Sequence, residues 1–214
     1  MTPVLRSFAA RAVGQAISLF ARFMTAPRAI WQGIEPVARQ RVYFANHSSN
    51  GDFVLLWTVL PPPLRRQTRP VAALDYWLKS PLRAFIGRDV FNAVLIDRRP
   101  EARTTDPVAQ MVEALDQGSS LILFPEGQRN SSDAVLLPFK SGLYHLAKAR
   151  PEVDLVPVWI ANLNKVMPKG EIIPVPLICT LTFGAALHLS PEEAKDAFLA
   201  RASSALLALG QLQR

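Results

Sequence analysis

From residue 41 onward, short apolar runs alternate with segments of helical spacing. RVYFA (41–45), NAVLI (92–96), SLILF (120–124), VDLVPVWI (153–160) and LICTLTF (177–183) are rich in β-branched and aromatic residues and predict strands. Helical spacing falls near 52–60, 103–117, 139–149 and 191–210. The last of these opens on Ser190-Pro191-Glu192-Glu193, a capping signal. Strands alternating with helices predict an α/β domain: a mostly parallel central sheet flanked by helices. PPPLRRQTRP (61–70) reads as a loop with three arginines, either solvated or in contact with lipid head groups or an acidic acyl carrier. Pro157, inside a strand, predicts a strand edge or a bend near a site, because proline cannot donate to a ladder.

The N-terminal segment, residues 3–31, follows another pattern. It is rich in Ala, Leu, Phe and Val, and is broken by Arg6, Arg11, Arg22 and Arg28. Its longest uncharged stretch, Ala12 to Ala21, has ten residues, whereas a spanning helix needs about 20. A signal peptide fits poorly, since Gly14 and Gln15 interrupt the apolar stretch and no A-x-A site follows. The expectation is an amphipathic helix in a membrane interface, with Phe8, Leu19, Phe20, Phe23 and Met24 inserted and the arginines among head groups. The alternative is a helix packed on the protein's own core. The chain accordingly divides into an interface arm, 1–35, and a catalytic domain, 36–214.

Composition adds a partner class. The 214 residues carry a net charge of +7 and are 50% hydrophobic, which favours an anionic partner such as an acidic leaflet, an acidic protein or nucleic acid. The aromatic residues are not interleaved with the basic ones as nucleic-acid stacking requires, so nucleic acid is not expected. Cys179, the single cysteine, cannot form an internal disulfide and reads as a buried strand residue.

Four pieces carry the chemistry. NHSSNGDF (46–53) holds His47 and Asp52 five residues apart. On one regular helix these would point about 140° apart. They meet if His47 lies in the turn after a strand and Asp52 in the first turn of a helix, where Asn, Ser and Gly belong. Asp52 then orients the imidazole and makes it a better base. LILFPEGQRN (121–130) runs a strand into Pro125, Glu126, Gly127 and Arg129. Gly127 permits a sharp turn, Arg129 suits a phosphate, and Glu126 either orders that arginine or binds a substrate hydroxyl. VLIDRR (94–99) ends a strand in Asp97, Arg98 and Arg99, and Val156-Pro157-Val158 interrupts another. All four fall at or near strand ends, where open α/β sheets bind ligands. His145 and His188 read as ordinary surface or partly buried histidines. The absence of G-x-S-x-G, of a Walker A loop and of G-x-G-x-x-G argues against an α/β-hydrolase and against either nucleotide fold.

In order and spacing, these pieces resemble the glycerolipid acyltransferase family, which includes the 1-acyl-glycerol-3-phosphate acyltransferases. Asn46, His47 and Asp52 meet its N-H-x-x-x-x-D block, and Ile96, Asp97 and Arg98 meet its I-D-R. Phe124, Pro125, Glu126, Gly127 and Arg129 meet F-P-E-G-T-R, and Val156 to Val158 meet its V-P-V strand. Phe139-Lys140-Ser141-Gly142 and Phe183-Gly184 are similar to later family motifs. The chain departs from the pattern at Gln128, at Asn50-Gly51 and at Asn92-Ala93. The resemblance implies transfer of a fatty acyl group from acyl-CoA or acyl carrier protein to a lysophospholipid hydroxyl, with no cofactor and no metal. It also implies His47 as base, Asp52 as its orienter, and Arg98, Glu126, Gly127, Arg129 and Lys140 as acceptor-binding residues. It further implies peripheral or monotopic residence on the cytoplasmic face of the inner membrane. Other acceptors (lyso-ornithine lipid, another lysophospholipid, glycerol 3-phosphate) remain open, as does a non-catalytic lipid-binding protein.

Overall fold

Strand β2 (Arg41–Ala45) is buried at every residue and forms the middle of the sheet. The computed structural model describes residues 2–99, 101, 105–163 and 178–211. The elements are α1 (Pro3–Thr25), β1 (Arg28–Trp31), β2, α2 (Asp52–Val59), α3 (Pro62–Gln67) and β3 (Thr68–Ala73). They continue with α4 (Leu74–Trp77), α5 (Pro81–Phe85), a π-helical turn (Ile86–Val90), β4 (Val94–Ile96), α6 (Pro107–Asp116) and β5 (Ser120–Leu123). The last are α7 (Gly142–Ala149), β6 (Asp154–Ala161), β7 (Thr180–Phe183) and α8 (Lys195–Gln211). Among the described residues the sheet order is β1-β7-β6-β2-β5-β3-β4, with the β6–β7 pair antiparallel and the other strand pairs parallel. This is the expected α/β architecture.

Helices cover both faces, which explains why the strands read as continuous apolar runs rather than alternating ones. Val42, Phe44, Leu121 and Leu155 pack with α6, α7 and α8. Their neighbours Tyr43, Ile122 and Val156 point to the other face, against Leu55 and Leu56 of α2, Leu60 at its C-terminal cap and Leu64 of α3.

Three segments differ from expectation. The stretch 61–70 is not a loop: prolines start helix α3, where a missing N–H costs little, and 68–73 is an interior strand. Pro70 survives there because β3 pairs with β5 through residue 70 and with β4 from residue 71. Pro157 is likewise interior rather than at an edge. The antiparallel ladder to β7 starts at Val158, so the missing N–H falls where one ladder is only beginning. The N-terminal helix stops before 31. Ala26 caps α1 in the left-handed region (φ 36°), Pro27 follows, and 28–31 pair with β7 as an edge strand. The predicted strand and helix boundaries near 103 and 177 reach residues outside those described.

Helix α1 packs on the body through a stripe of small residues, Ala10, Gly14, Ser18 and Thr25. A Cβ at Gly14 would come 3.2 Å from Val90. The outer face exposes Phe8, Leu19, Phe20 and Phe23, while Met24 is half-buried. One face of the helix therefore packs on the domain, and the other presents apolar side chains outward. Among the described residues, no helix is long and apolar enough to cross a membrane.

Candidate active site

Asn46 leaves β2 and is the first fixed point of the site. Its side-chain amide donates to the Ile160 carbonyl at 3.0 Å and accepts from the Ile160 N–H at 2.8 Å, tying the end of β2 to β6. The chain then turns through Ser48–Gly51 into α2, whose first residue is Asp52. One Asp52 oxygen, Oδ2, accepts from the N–H of Ser48 (2.7 Å) and of Ser49 (2.8 Å) and lies 2.8 Å from His47 Nδ1. Asp52 is fully buried, while the His47 side chain keeps 20% of its exposure. With Nδ1–H donating to the carboxylate, Nε2 is left with its lone pair. The ring is stacked on Phe124 (centroids 4.3 Å apart, 21° between planes), which sets its plane.

Glu126 holds the same histidine from the other side. It is 1% exposed. Its Oε1 accepts the His47 N–H at 2.7 Å and its Oε2 accepts the Leu137 N–H at 2.8 Å. The Asn130 N–H donates to the His47 carbonyl at 2.7 Å. Burial pushes the Glu126 carboxyl above the usual range, and the two N–H bonds act against that shift. Glu126 therefore neither orders Arg129 nor faces the cavity. Its bonds clamp the backbone of His47.

A cavity of about 370 Å³ opens beside His47. Arg98, Gly127, Gln128 and Arg129 line it together with the apolar side chains of Phe53, Val71, Tyr76, Trp77 and Ile96. Arg98 pairs with Asp75 in a two-pronged geometry, Nε to Oδ1 at 3.2 Å and a terminal nitrogen to Oδ2 at 2.8 Å. This pairing holds the Asp75 carboxyl below its usual range. Gly127 needs its glycine: φ is +71°, and a Cβ would meet Lys140 Cγ at 3.1 Å. Lys140 packs its stem against Gly127 and bonds Pro125 O through its N–H, but it is not part of the cavity lining. Thus His47, Asp52, Arg98, Gly127 and Arg129 converge as expected, Glu126 lies behind them, and Lys140 stands aside. Sequence reasoning missed Asp75, Tyr76 and Trp77, and gave Asn50 and Phe53, inside the NHSSNGDF block, no place in the lining. Residues 74–77 form a single short turn whose composition resembles any amphipathic segment.

An α/β sheet with a histidine–carboxylate pair at its strand ends defines a class of hydrolytic or group-transfer domains. A family model described as Acyltransferase matches residues 28–161, and the chain belongs to that family. Several curated 1-acyl-sn-glycerol-3-phosphate acyltransferases are similar. That of Salmonella typhimurium is 32% identical over 133 residues, 58% of this chain and 49% of that protein. That of Limnanthes alba is 31% identical over 150 residues, 68% of this chain and 50% of that protein. The chain thus spans about half the length of these relatives. The crystal structure of the 1-acyl-sn-glycerophosphate (LPA) acyltransferase PlsC from Thermotoga maritima shares the fold. Its TM-score is 0.71 at 22% identity, covering 98% of this chain and 86% of that one.

Proposed function

We propose that the protein transfers a fatty acyl group from a CoA or acyl carrier protein thioester to the free hydroxyl of a lysophospholipid, 1-acyl-glycerol 3-phosphate first among them. One observation carries this reading: the exposed side of an Asp52-oriented His47 opens onto a cavity lined by two arginines and by apolar side chains. His47 Nε2 takes the proton of the acceptor hydroxyl as its oxygen attacks the thioester carbonyl. The tetrahedral intermediate collapses, the C–S bond breaks, and the imidazolium returns the proton to the departing thiolate. The products are an ester and a free thiol, and no covalent enzyme intermediate is needed. Arg98 and Arg129 hold the acceptor phosphate. In this reading the outer face of α1 rests in an anionic membrane surface, and the enzyme works peripherally, on the cytoplasmic face of the inner membrane.

The test follows thiol release by protein in detergent or vesicles, with palmitoyl thioesters and the lyso-lipid, beside His47→Ala. Release that needs both the lyso-lipid and His47 is expected, with a loss on the order of 10²–10⁴-fold in the variant. Release with a different lyso-lipid alone would move the acceptor and keep the chemistry. Full activity in His47→Ala would remove His47 as the base.

A further inference from the structure

We propose that Asp75 is a positioning residue for the acceptor: it holds Arg98 at the cavity and so sets how tightly the lysophospholipid phosphate binds. This role rests on Arg98 as a phosphate ligand, as read above, and adds the group that places it. The strand register brings the two side chains together. β3 and β4 are parallel, and Ala73 pairs with Ile96 at their ends. Asp75 and Arg98 each stand two residues further on, so they leave neighbouring strands at the same level. Their contact is two-pronged, with Nε donating to Oδ1 at 3.2 Å and a terminal nitrogen donating to Oδ2 at 2.8 Å. Such a fork fixes the plane of the guanidinium as well as its distance.

Asp75 is itself presented from a fixed platform. It lies on α4 with Tyr76 and Trp77, and both of these line the cavity. The Trp77 ring packs edge-on against Phe53 (centroids 5.8 Å apart) and Phe91 (6.3 Å). Gly87 lies so close that an added Cβ would come within 3.1 Å of the same ring. The tryptophan therefore fixes α4, α4 fixes Asp75, and Asp75 fixes the guanidinium.

Two effects of Asp75 oppose each other. Its negative charge repels an anionic acceptor. Its grip removes rotamer freedom that Arg98 would otherwise lose on binding. The Arg98 side chain is 55% exposed and that of Asp75 43%. At such exposure water and salt screen the repulsion, whereas a long side chain loose in water must still be ordered by its ligand. Positioning therefore outweighs repulsion. Removing the carboxylate weakens binding of an anion even though it makes the site more positive.

The test measures kcat and acceptor KM for the full chain with a palmitoyl thioester, as the parent, Asp75→Ala, Asp75→Asn, Arg98→Ala and the Asp75→Ala/Arg98→Ala double variant. The acceptors are 1-acyl-glycerol 3-phosphate and 1-acyl-glycerol, which lacks the phosphate. In Asp75→Ala the KM for the phosphate-bearing acceptor rises about three- to five-fold, with kcat within about two-fold of the parent. Asp75→Asn keeps one acceptor oxygen for Arg98 and gives a smaller rise. Once Arg98 is alanine, removing Asp75 adds nothing, and the rise is confined to the acceptor with a phosphate. An unchanged or lower KM in Asp75→Ala, beside a raised one in Arg98→Ala, overturns this inference and keeps Arg98 as the phosphate ligand. An unchanged KM in Arg98→Ala overturns both. A further rise in the double variant means that Asp75 touches the acceptor itself, and positioning is overturned. Equal losses on both acceptors with a lower melting temperature mark collapse of the α4 wall and overturn it as well.

Discussion

The two halves of the cavity are built in opposite ways. On the β2–β5 side, His47 is tied by its ring, its N–H and its carbonyl to Asp52, Glu126 and Asn130, and the carboxylates that hold it are buried. On the β3–β4 side, Arg98 leans on Asp75 across an ion pair whose side chains are 55% and 43% exposed. The first half is over-determined and positions a reacting atom. The second is solvent-facing and can reorganise around a ligand. Buried hydrogen bonds to charged groups are costly to break, whereas exposed pairs contribute little to stability. Substitutions on the first side should therefore change rate and fold together, and those on the second should change substrate affinity alone.

The largest effect should come from Asp52→Asn. His47 Nδ1 and the N–H groups of Ser48 and Ser49 all meet the same oxygen, so an amide NH₂ in its place favours the wrong tautomer and faces two N–H donors, while the opposite orientation trades a carboxylate for a neutral carbonyl. The expected loss in kcat is on the order of 10³–10⁴-fold, with the acceptor KM within about two-fold of the parent. A rise in KM with unchanged kcat would mean that Asp52 serves binding.

Glu126→Gln sharpens the contrast. Both carboxylate oxygens accept backbone N–H groups, so one amide NH₂ must face a donor, at a cost of ~1–3 kcal/mol. Transfer to the lyso-lipid and slow hydrolysis of the thioester by water should fall by the same factor, because both use His47. A selective rise in acceptor KM would place Glu126 against the substrate instead. Stability should also depend on pH in a stated direction. Burial raises the folded carboxyl above its unfolded value, so the native state binds more protons there. The stabilising contribution is full below the unfolded value and is lost as pH rises through the folded one. Thermal unfolding just above the ordinary carboxylate range should show that downward slope in the parent and a flatter one in the variant.

The legibility of the two halves follows the same division. His47 and Asp52 lie five residues apart, and the turn between them is written in Ser48-Ser49-Asn50-Gly51, so their meeting was readable from spacing. Glu126 was visible as a residue but not in its role, because it bonds main-chain groups 79 and 11 positions away. A side chain that binds backbone leaves no trace in the identity of its partners. The wall at 74–77 was unreadable for another reason: a four-residue helix is too short to show a period. The core strands were legible because both faces are covered. Pro157 misled because proline marks the end of a ladder as readily as the edge of a sheet, and 61–70 misled because its prolines start a helix and a ladder switch rather than a loop.

At the two exposed arginines of the cavity, Arg98→Ala and Arg129→Ala should each raise the acceptor KM roughly ten-fold, the worth of one charge-assisted contact. The melting temperature should barely move, since the Arg98–Asp75 pair is exposed. With an acceptor lacking the phosphate, both variants should match the parent. If either variant still loses activity on the uncharged acceptor, that arginine supports the cavity wall rather than the head group.

The smallest effect concerns Cys179, behind the rigid half. It is fully buried just before β7, and its backbone N–H and carbonyl bond Thr25 and Arg28 at the junction of α1 with the sheet. Burial pushes the thiol up to about 11, with the nearby Asp52 charge adding to the shift. The thiolate is the reactive form, so at pH 8 the folded protein should resist alkylation and react only as it unfolds. Cys179→Ser should leave kcat within about two-fold while placing a hydroxyl in an apolar site, at ~1–3 kcal/mol. Titrating denaturant against alkylation would read the opening of the α1–β7 junction directly. If labelling precedes loss of activity, α1 detaches while the His47 side stays assembled. If the two coincide, the rigid half includes α1.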